Sequence, residues 1–333
     1  MNTKNNSTIV PGTSIYSFTS DWLSRRFTLD QMIEKVAELN VGPGIEMVGF
    51  QSIRGFPAIS DEFAAHFRAL VERLGLQPTA LGGNIDLGRY PGRLMTMDEM
   101  ITTVEAQIEA ARKLGFPVLR IQFVGNEVLE KLLPAAEQAQ VQIACELHAP
   151  MTPAHPAVVE LRELCDRTGS PYLGLVLDFS CSMTSPPERY WSQVRHSGAP
   201  EPLIAAAQEI WHRDASIPEK FAALAQAAQH YNAPPGLTGT LNMVMTMFGH
   251  MPVSAWREVL PYSRHIHGKF YHVDEHGNEP AIPYPQIIAL LKASGFRGSI
   301  SAEWEGHAFN AQEGVAFGEV QRWHAMVRRL LAA

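Results

Sequence analysis

Eight short apolar runs, each followed by a segment of helical periodicity, constrain this chain more than any other feature of its sequence. They lie near Thr13–Phe18, Gly44–Phe50, Gln77–Gly83, Val118–Phe123, Val141–His148, Tyr172–Phe179, His265–Val273 and Gly298–Trp304. Short apolar runs set between helices read as parallel strands. Strand–helix alternation builds a parallel sheet, and eight repeats favour a closed (β/α)8 TIM barrel over an open doubly wound sheet. The intervening segments carry helix signals. Thr28 with Gln31, and Thr96 with Glu99, have capping-box spacing. They open helices in which Leu29, Met32, Ile33 and Val36, or Ile101, Val104, Ile108 and Ala111, share one face. Pro285 suits a first helical turn and Gly295 a helix stop.

The 333 residues could make two domains, but no repeat, low-complexity tract or linker divides them. The expectation is a single catalytic barrel over residues 13–333, preceded by a polar, disordered arm at 1–12 with no apolar signal segment. One connection breaks the rhythm. Residues 180–264 span roughly eighty positions between strands six and seven, where a βα unit needs about thirty. This extended insertion contains Tyr190, Trp191, Trp211 and a helix near Glu219–Gln229, and reads as a lid or partner surface. A net charge of -7 gives no basic field for nucleic acid, and no apolar run is long enough for a membrane span. Cys145, Cys165 and Cys181 have no CxxC spacing, so neither a disulfide framework nor a cysteine zinc site is expected, and a cytoplasmic location fits. GxGxxG, P-loop, GxSxG and HExxH motifs are absent.

Active sites of such barrels lie at the C-terminal ends of the strands. Strand five ends with Glu146 and His148 on one side, strand six with Asp178, strand seven with His265, His267 and Lys269 at alternate positions, and strand eight with Glu303 and Glu305. Glu146, Asp178, His267 and Glu303 form an oxygen-rich set suited to Mn²⁺ or Mg²⁺, with Co²⁺ as a further option. His265 competes with His267, and Glu305 with Glu303. His148, two residues past a ligand, is either a proton-transfer group or an orienter of Glu146. Lys269, Arg120, Gln122, Glu305 and His307 are substrate-binding candidates. Arg120 and Gln122 face either the barrel mouth or the outer helical layer. Glu46, Gln51, Asn84 and Asp86 are weaker candidates near the ends of strands two and three.

This pattern resembles the sugar phosphate isomerase/epimerase superfamily of xylose-isomerase-like TIM barrels, over about Thr13 to Leu331. Three stretches look closer to the catalytic α subunits of bacterial C-glycoside deglycosidases: Gly42–Pro57, Cys145-Glu-Leu-His148 and Glu303-Trp-Glu-Gly-His307. The resemblance implies one Mn²⁺-type ion, a 3-oxo-C-glycoside substrate, and a small β-rich β subunit in a hetero-oligomer. It also implies a lyase mechanism of proton abstraction, metal-stabilised enediolate and aglycone elimination. His148 would be the base, with Glu146 or Glu303 sharing proton transfer. An isomerase or ketose 3-epimerase acting alone would share the first half of that mechanism.

Overall fold

The computed structural model describes residues 9–234, 236–309, 312 and 314–333. Eight strands close in sequence order into one barrel: β1 (Ile9–Ser14), β2 (Gly44–Val48), β3 (Gln77–Gly82), β4 (Val118–Ile121), β5 (Gln142–Leu147), β6 (Leu173–Asp178), β7 (Ser263–Phe270) and β8 (Gly298–Trp304). All neighbours are parallel. The outer face is sealed by helices whose apolar stripes are buried, as with Val104, Ile108, Ala111 and Leu114 of the helix Met97–Leu114. Both expected capping boxes form, with Thr28 accepting from the Gln31 amide at 3.2 Å and Thr96 from that of Glu99 at 3.3 Å.

Alternate strand residues face inward. Ala80, Val118, Ala144 and Val176 make a buried cluster separate from the main core. Two residues further along three of these strands stand Arg120, Glu146 and Asp178. Strand periodicity therefore aims all three into the mouth.

The first strand corrects the sequence reading. Ile9–Gly12, assigned to the arm, pair with Gly298–Ser301 of β8, and Ile15–Phe18 turn into a 3-10 helix instead of extending the strand. Pro11-Gly12 resembles turn punctuation, but the barrel needs the glycine for close approach. A Cβ on Gly12 would stand 2.8 Å from the Gly44 backbone in β2. Residues 1–8, the rest of the expected arm, lie outside the described residues.

Between β6 and β7 the described residues form four α-helices, Glu188–His196, Glu201–His212, Ile217–His230 and Leu237–Met247. The helix expected near Glu219 starts earlier because Ser216 and Glu219 cap it reciprocally. Trp211 and Tyr190 anchor the unit, donating to the carbonyls of Phe248 at 2.7 Å and Thr240 at 2.9 Å. The far end docks on the turn after Asp178, where the Gly249 amide donates to the Ser180 carbonyl at 2.7 Å and that of Met251 to Cys181 at 2.9 Å. The three cysteines are free and buried. Among the described residues, no helix is long and apolar enough to cross a membrane.

Candidate metal centre and active site

Strands β5 to β8 bring Glu146, Asp178, His267 and Glu303 together, with one nitrogen or oxygen from each lying within 4.8 Å of the others. The fully buried ring of His267 turns Nδ1 toward the acids, 2.6 Å from Glu146 Oε1, 3.4 Å from Glu303 Oε2 and 3.7 Å from Asp178 Oδ2. Cross-strand register sets this depth: Asp178 pairs with His267, and Glu303 with Lys269. Asp178 Oδ1 accepts from the Ser180 amide at 2.6 Å. Asp178 Oδ2 and Glu303 Oε2 are buried without a hydrogen bond. Two such carboxylate oxygens beside an imidazole nitrogen fit a hard or borderline divalent cation.

His265 lies one inward position deeper, bonded to Glu46 and Ser299 at 3.0 and 2.6 Å. Glu305 is also outside the group of four, held by Lys269 Nζ on Oε2 and by the Tyr16 hydroxyl on Oε1 at 2.7 Å. Lys269 Nζ also lies 3.0 Å from Glu303 Oε2 and 3.5 Å from Asp178 Oδ2. Arg120 points inward, 3.6 Å from Glu146 Oε2, which resolves its orientation. Gln122 stands at the exposed rim, donating to Asn84 Oδ1 at 2.8 Å. His307 is half-buried, its ring edge-on to Tyr16 with centroids 5.0 Å apart.

The field here is that of crowded acids. Burial opposes ionisation of Glu146, but Arg120 and His267 hold its carboxyl far below the usual range. Burial likewise opposes Asp178, and Lys269 and His148 overcome it. Glu303 is pushed up to about 7 by burial, despite His267 and Lys269. Burial disfavours the charged form of Lys269, yet Asp178 and Glu303 keep it firmly an ammonium. Glu46, Glu146, Asp178, Glu303 and Glu305 gather around Lys269, Arg120 and His267, and the acids in turn favour the charged form of the His267 ring, so the field is rich in carboxylates of the kind that suit a divalent cation.

Half-buried His148 follows β5. Its Nδ1 lies 2.7 Å from the Ala149 carbonyl, and a carbonyl only accepts. In the neutral ring Nδ1 therefore carries the proton and Nε2 is the basic nitrogen. A cavity of about 660 Å³ opens between the segment Pro150–Ala154 after β5 and the β6–β7 helices, its lining distinct from the group of four and from His148. Met151, Cys181, Trp211, Met245 and Phe248 line its apolar walls, with His212 and Lys220 among its polar groups.

Two residues exceed the sequence reading. Glu46, placed there among weak candidates, is a fully buried acid contacting both strand-seven histidines. Its signal was a charge inside the apolar run Gly44-Ile-Glu-Met-Val48. Tyr16 was not singled out; its signal was a polar-tipped aromatic beside the end of the first strand.

Residues 33–324 match the family described as the xylose isomerase-like TIM barrel. A C-glycoside deglycosidase alpha subunit of Arthrobacter globiformis is 35% identical over 96% of this chain and 92% of its own. The chain belongs to this family. A second family member, a 3'-dehydrocarminate deglycosidase alpha subunit from a Microbacterium species, is 32% identical over 96% of this chain and 94% of its own. Among solved structures, D-psicose 3-epimerase of Clostridium cellulolyticum aligns over 97% of this chain and 99% of its own, with a TM-score of 0.57. At 12% identity that likeness shows the shared fold alone.

Proposed function

We propose that this chain is the catalytic α subunit of a metal-dependent C-glycoside deglycosidase, a lyase acting on 3-oxo-C-glycosides with a small β-rich partner subunit. The observation that carries the reading is the pair of buried, unbonded oxygens Asp178 Oδ2 and Glu303 Oε2, facing His267 Nδ1 and Glu146. It gains support from full-length similarity to α subunits named for that activity.

A divalent cation held by Glu146, Asp178, His267 and Glu303, Mn²⁺ ahead of Mg²⁺ or Co²⁺, would supply Lewis acidity toward a sugar ketone and acidify the neighbouring C–H. His148 takes that proton from sugar C2 on its free Nε2. The electron pair becomes the C1–C2 double bond as the C1–aglycone carbon bond breaks, and the departing carbon takes up a proton. Arg120 fixes Glu146, while Lys269 and Glu305 set the charge beside Glu303. Gln122 and His307 meet polar groups of the substrate at the rim. The cavity walled by Trp211 and Phe248 takes the aglycone, where apolar and aromatic walls suit a flat ring system.

Chromatography of free aglycone, after incubating a 3-oxo-C-glucoside with this chain, its β partner and Mn²⁺, tests the proposal. Release should require all three components. A reconstituted, metal-loaded pair that frees no aglycone from any 3-oxo-C-glycoside would sink it. Conversion of free ketoses by the isolated chain would point instead to an isomerase or 3-epimerase.

A further inference from the structure

We infer that Glu46, on the opposite side of the barrel from β5 and β6, is a positioning residue that dictates which nitrogen of His267 faces the cation group. The inference rests on the reading that Glu146, Asp178, His267 and Glu303 hold a cation. Glu46 Oε1 lies 2.9 Å from His267 Nε2. An ionised carboxylate only accepts, so Nε2 must carry the proton. Nδ1 is then the nitrogen turned to Glu146, Asp178 and Glu303, and its proton, shared with Glu146 Oε1 at 2.6 Å, is the one a cation would displace. The second oxygen is equally occupied, with Glu46 Oε2 3.0 Å from His265 Nε2. His265 Nδ1 in turn lies 2.6 Å from the Ser299 hydroxyl, which donates to it. The carboxylate is thus gripped at both oxygens and cannot rotate away from His267.

Filling space does not explain this residue. Glu46 is 1% exposed, and its register partner on β3 is Ala80, part of the small apolar cluster inside the barrel. A charge buried there is tolerated because both oxygens are hydrogen-bonded. What the arrangement gives in return is a fixed tautomer and a more basic ligand, the function of a carboxylate behind a ligating histidine. Glu46, His265 and His267 also offer three donor atoms within 4.8 Å of one another, but Glu46 already engages both imidazoles through hydrogen bonds.

The experiment compares Mn²⁺ titrations of the wild type, Glu46→Gln and Glu46→Ala by calorimetry, with thermal melts to score folding. Imidazole ¹⁵N spectra of the metal-free proteins accompany them. Glutamine can still accept from His267 through its oxygen while turning its amide toward His265, whose proton can move to Nδ1. E46Q should therefore keep the Nε2–H signal of His267 and bind Mn²⁺ about tenfold more weakly; E46A should lose that signal and approach about a hundredfold. Equal affinities in wild type and E46Q would overturn the role of Glu46 while leaving the cation group standing. A wild-type protein that binds no Mn²⁺ would overturn both. Two Mn²⁺ per wild-type chain, one of them lost in E46Q, would make Glu46 a ligand and refute positioning, as would a bare Nε2 on wild-type His267.

Discussion

The hydroxyl of Tyr16 donates to Oε1 of Glu305 at 2.7 Å, tying the turn after β1 to the residue after β8 across the seam where the barrel closes. Lys269 occupies the other carboxylate oxygen. Burial and the negative charge of Glu305 push the Tyr16 phenol upward, so it remains a donor at any working pH. Tyr16→Phe removes a hydrogen bond to a charged group, worth about 1.5–3 kcal/mol. Glu305 and Lys269 then lose their fixed position beside Glu303. Aglycone release by the reconstituted enzyme should slow about tenfold or more, with Mn²⁺ affinity unchanged. Steady-state rates and a metal titration check both halves, and wild-type turnover would remove Tyr16 from the site's working parts.

Asp178 uses its two oxygens differently, and a single substitution separates the uses. In the Asp178→Asn variant the amide oxygen can still accept from the Ser180 amide, as Asp178 Oδ1 does at 2.6 Å. The variant cannot supply the anionic, unbonded Oδ2. It should fold normally yet bind Mn²⁺ at least about tenfold more weakly, a ligand loss being no milder than loss of a group behind a ligand. Chelation of the wild type should abolish turnover, and added Mn²⁺ should restore it. Unchanged affinity in D178N would disperse the proposed centre.

His148 stands outside the group of four, so its loss should separate chemistry from metal binding. His148→Gln is expected to lower the release rate by about 10²- to 10⁴-fold, the usual contribution of a positioned general base. Its Mn²⁺ affinity should match the wild type. A parallel loss of metal would instead make the histidine an orienter of Glu146.

Acid sensitivity should arise partly where the C-terminal helix Val315–Ala332 packs on β1. His324 is 1% exposed, its Nε2 lies 2.9 Å from Thr13 Oγ1, and its Nδ1 is buried without a partner. Thr13 donates to the Val41 carbonyl at 2.6 Å, so its oxygen accepts from a neutral imidazole. Burial, reinforced by Arg328, pushes this group down to about 3. The unfolded chain takes up the proton below about 6.5 while the folded chain refuses it, so stability falls as pH drops from about 6.5 toward 3. The slope approaches about 1.4 kcal/mol per pH unit for this one group. In urea melts at pH 5 and pH 7, His324→Gln should show a distinctly smaller difference than the wild type. Identical differences would refute the assignment.

The paired helix caps and every strand but the first, which begins earlier than its apolar run, were legible because periodicity and capping are local. Apolar runs pack as strands wherever helices can cover them, and Thr96 meets Glu99 three residues away whatever the remainder of the chain does. The convergence of Glu146, Asp178, His267 and Glu303 was legible for a related reason: a charge at the end of an apolar strand has few neighbours except those at other strand ends.

The choice between equals required the closed barrel. His265 and His267 share one inward face, and so do Glu303 and Glu305, so spacing alone gives each pair the same direction. Register gives them different depths, setting His267 beside Asp178 and Lys269 beside Glu303, and sending Glu305 to Tyr16. Glu46 finds His267 across 221 positions of chain, and Tyr16 finds Glu305 across 289. The residue types and their facing were written in the sequence; which of them touch was decided by ring closure, because depth along a barrel axis depends on the stagger of neighbouring strands and no strand carries that information by itself.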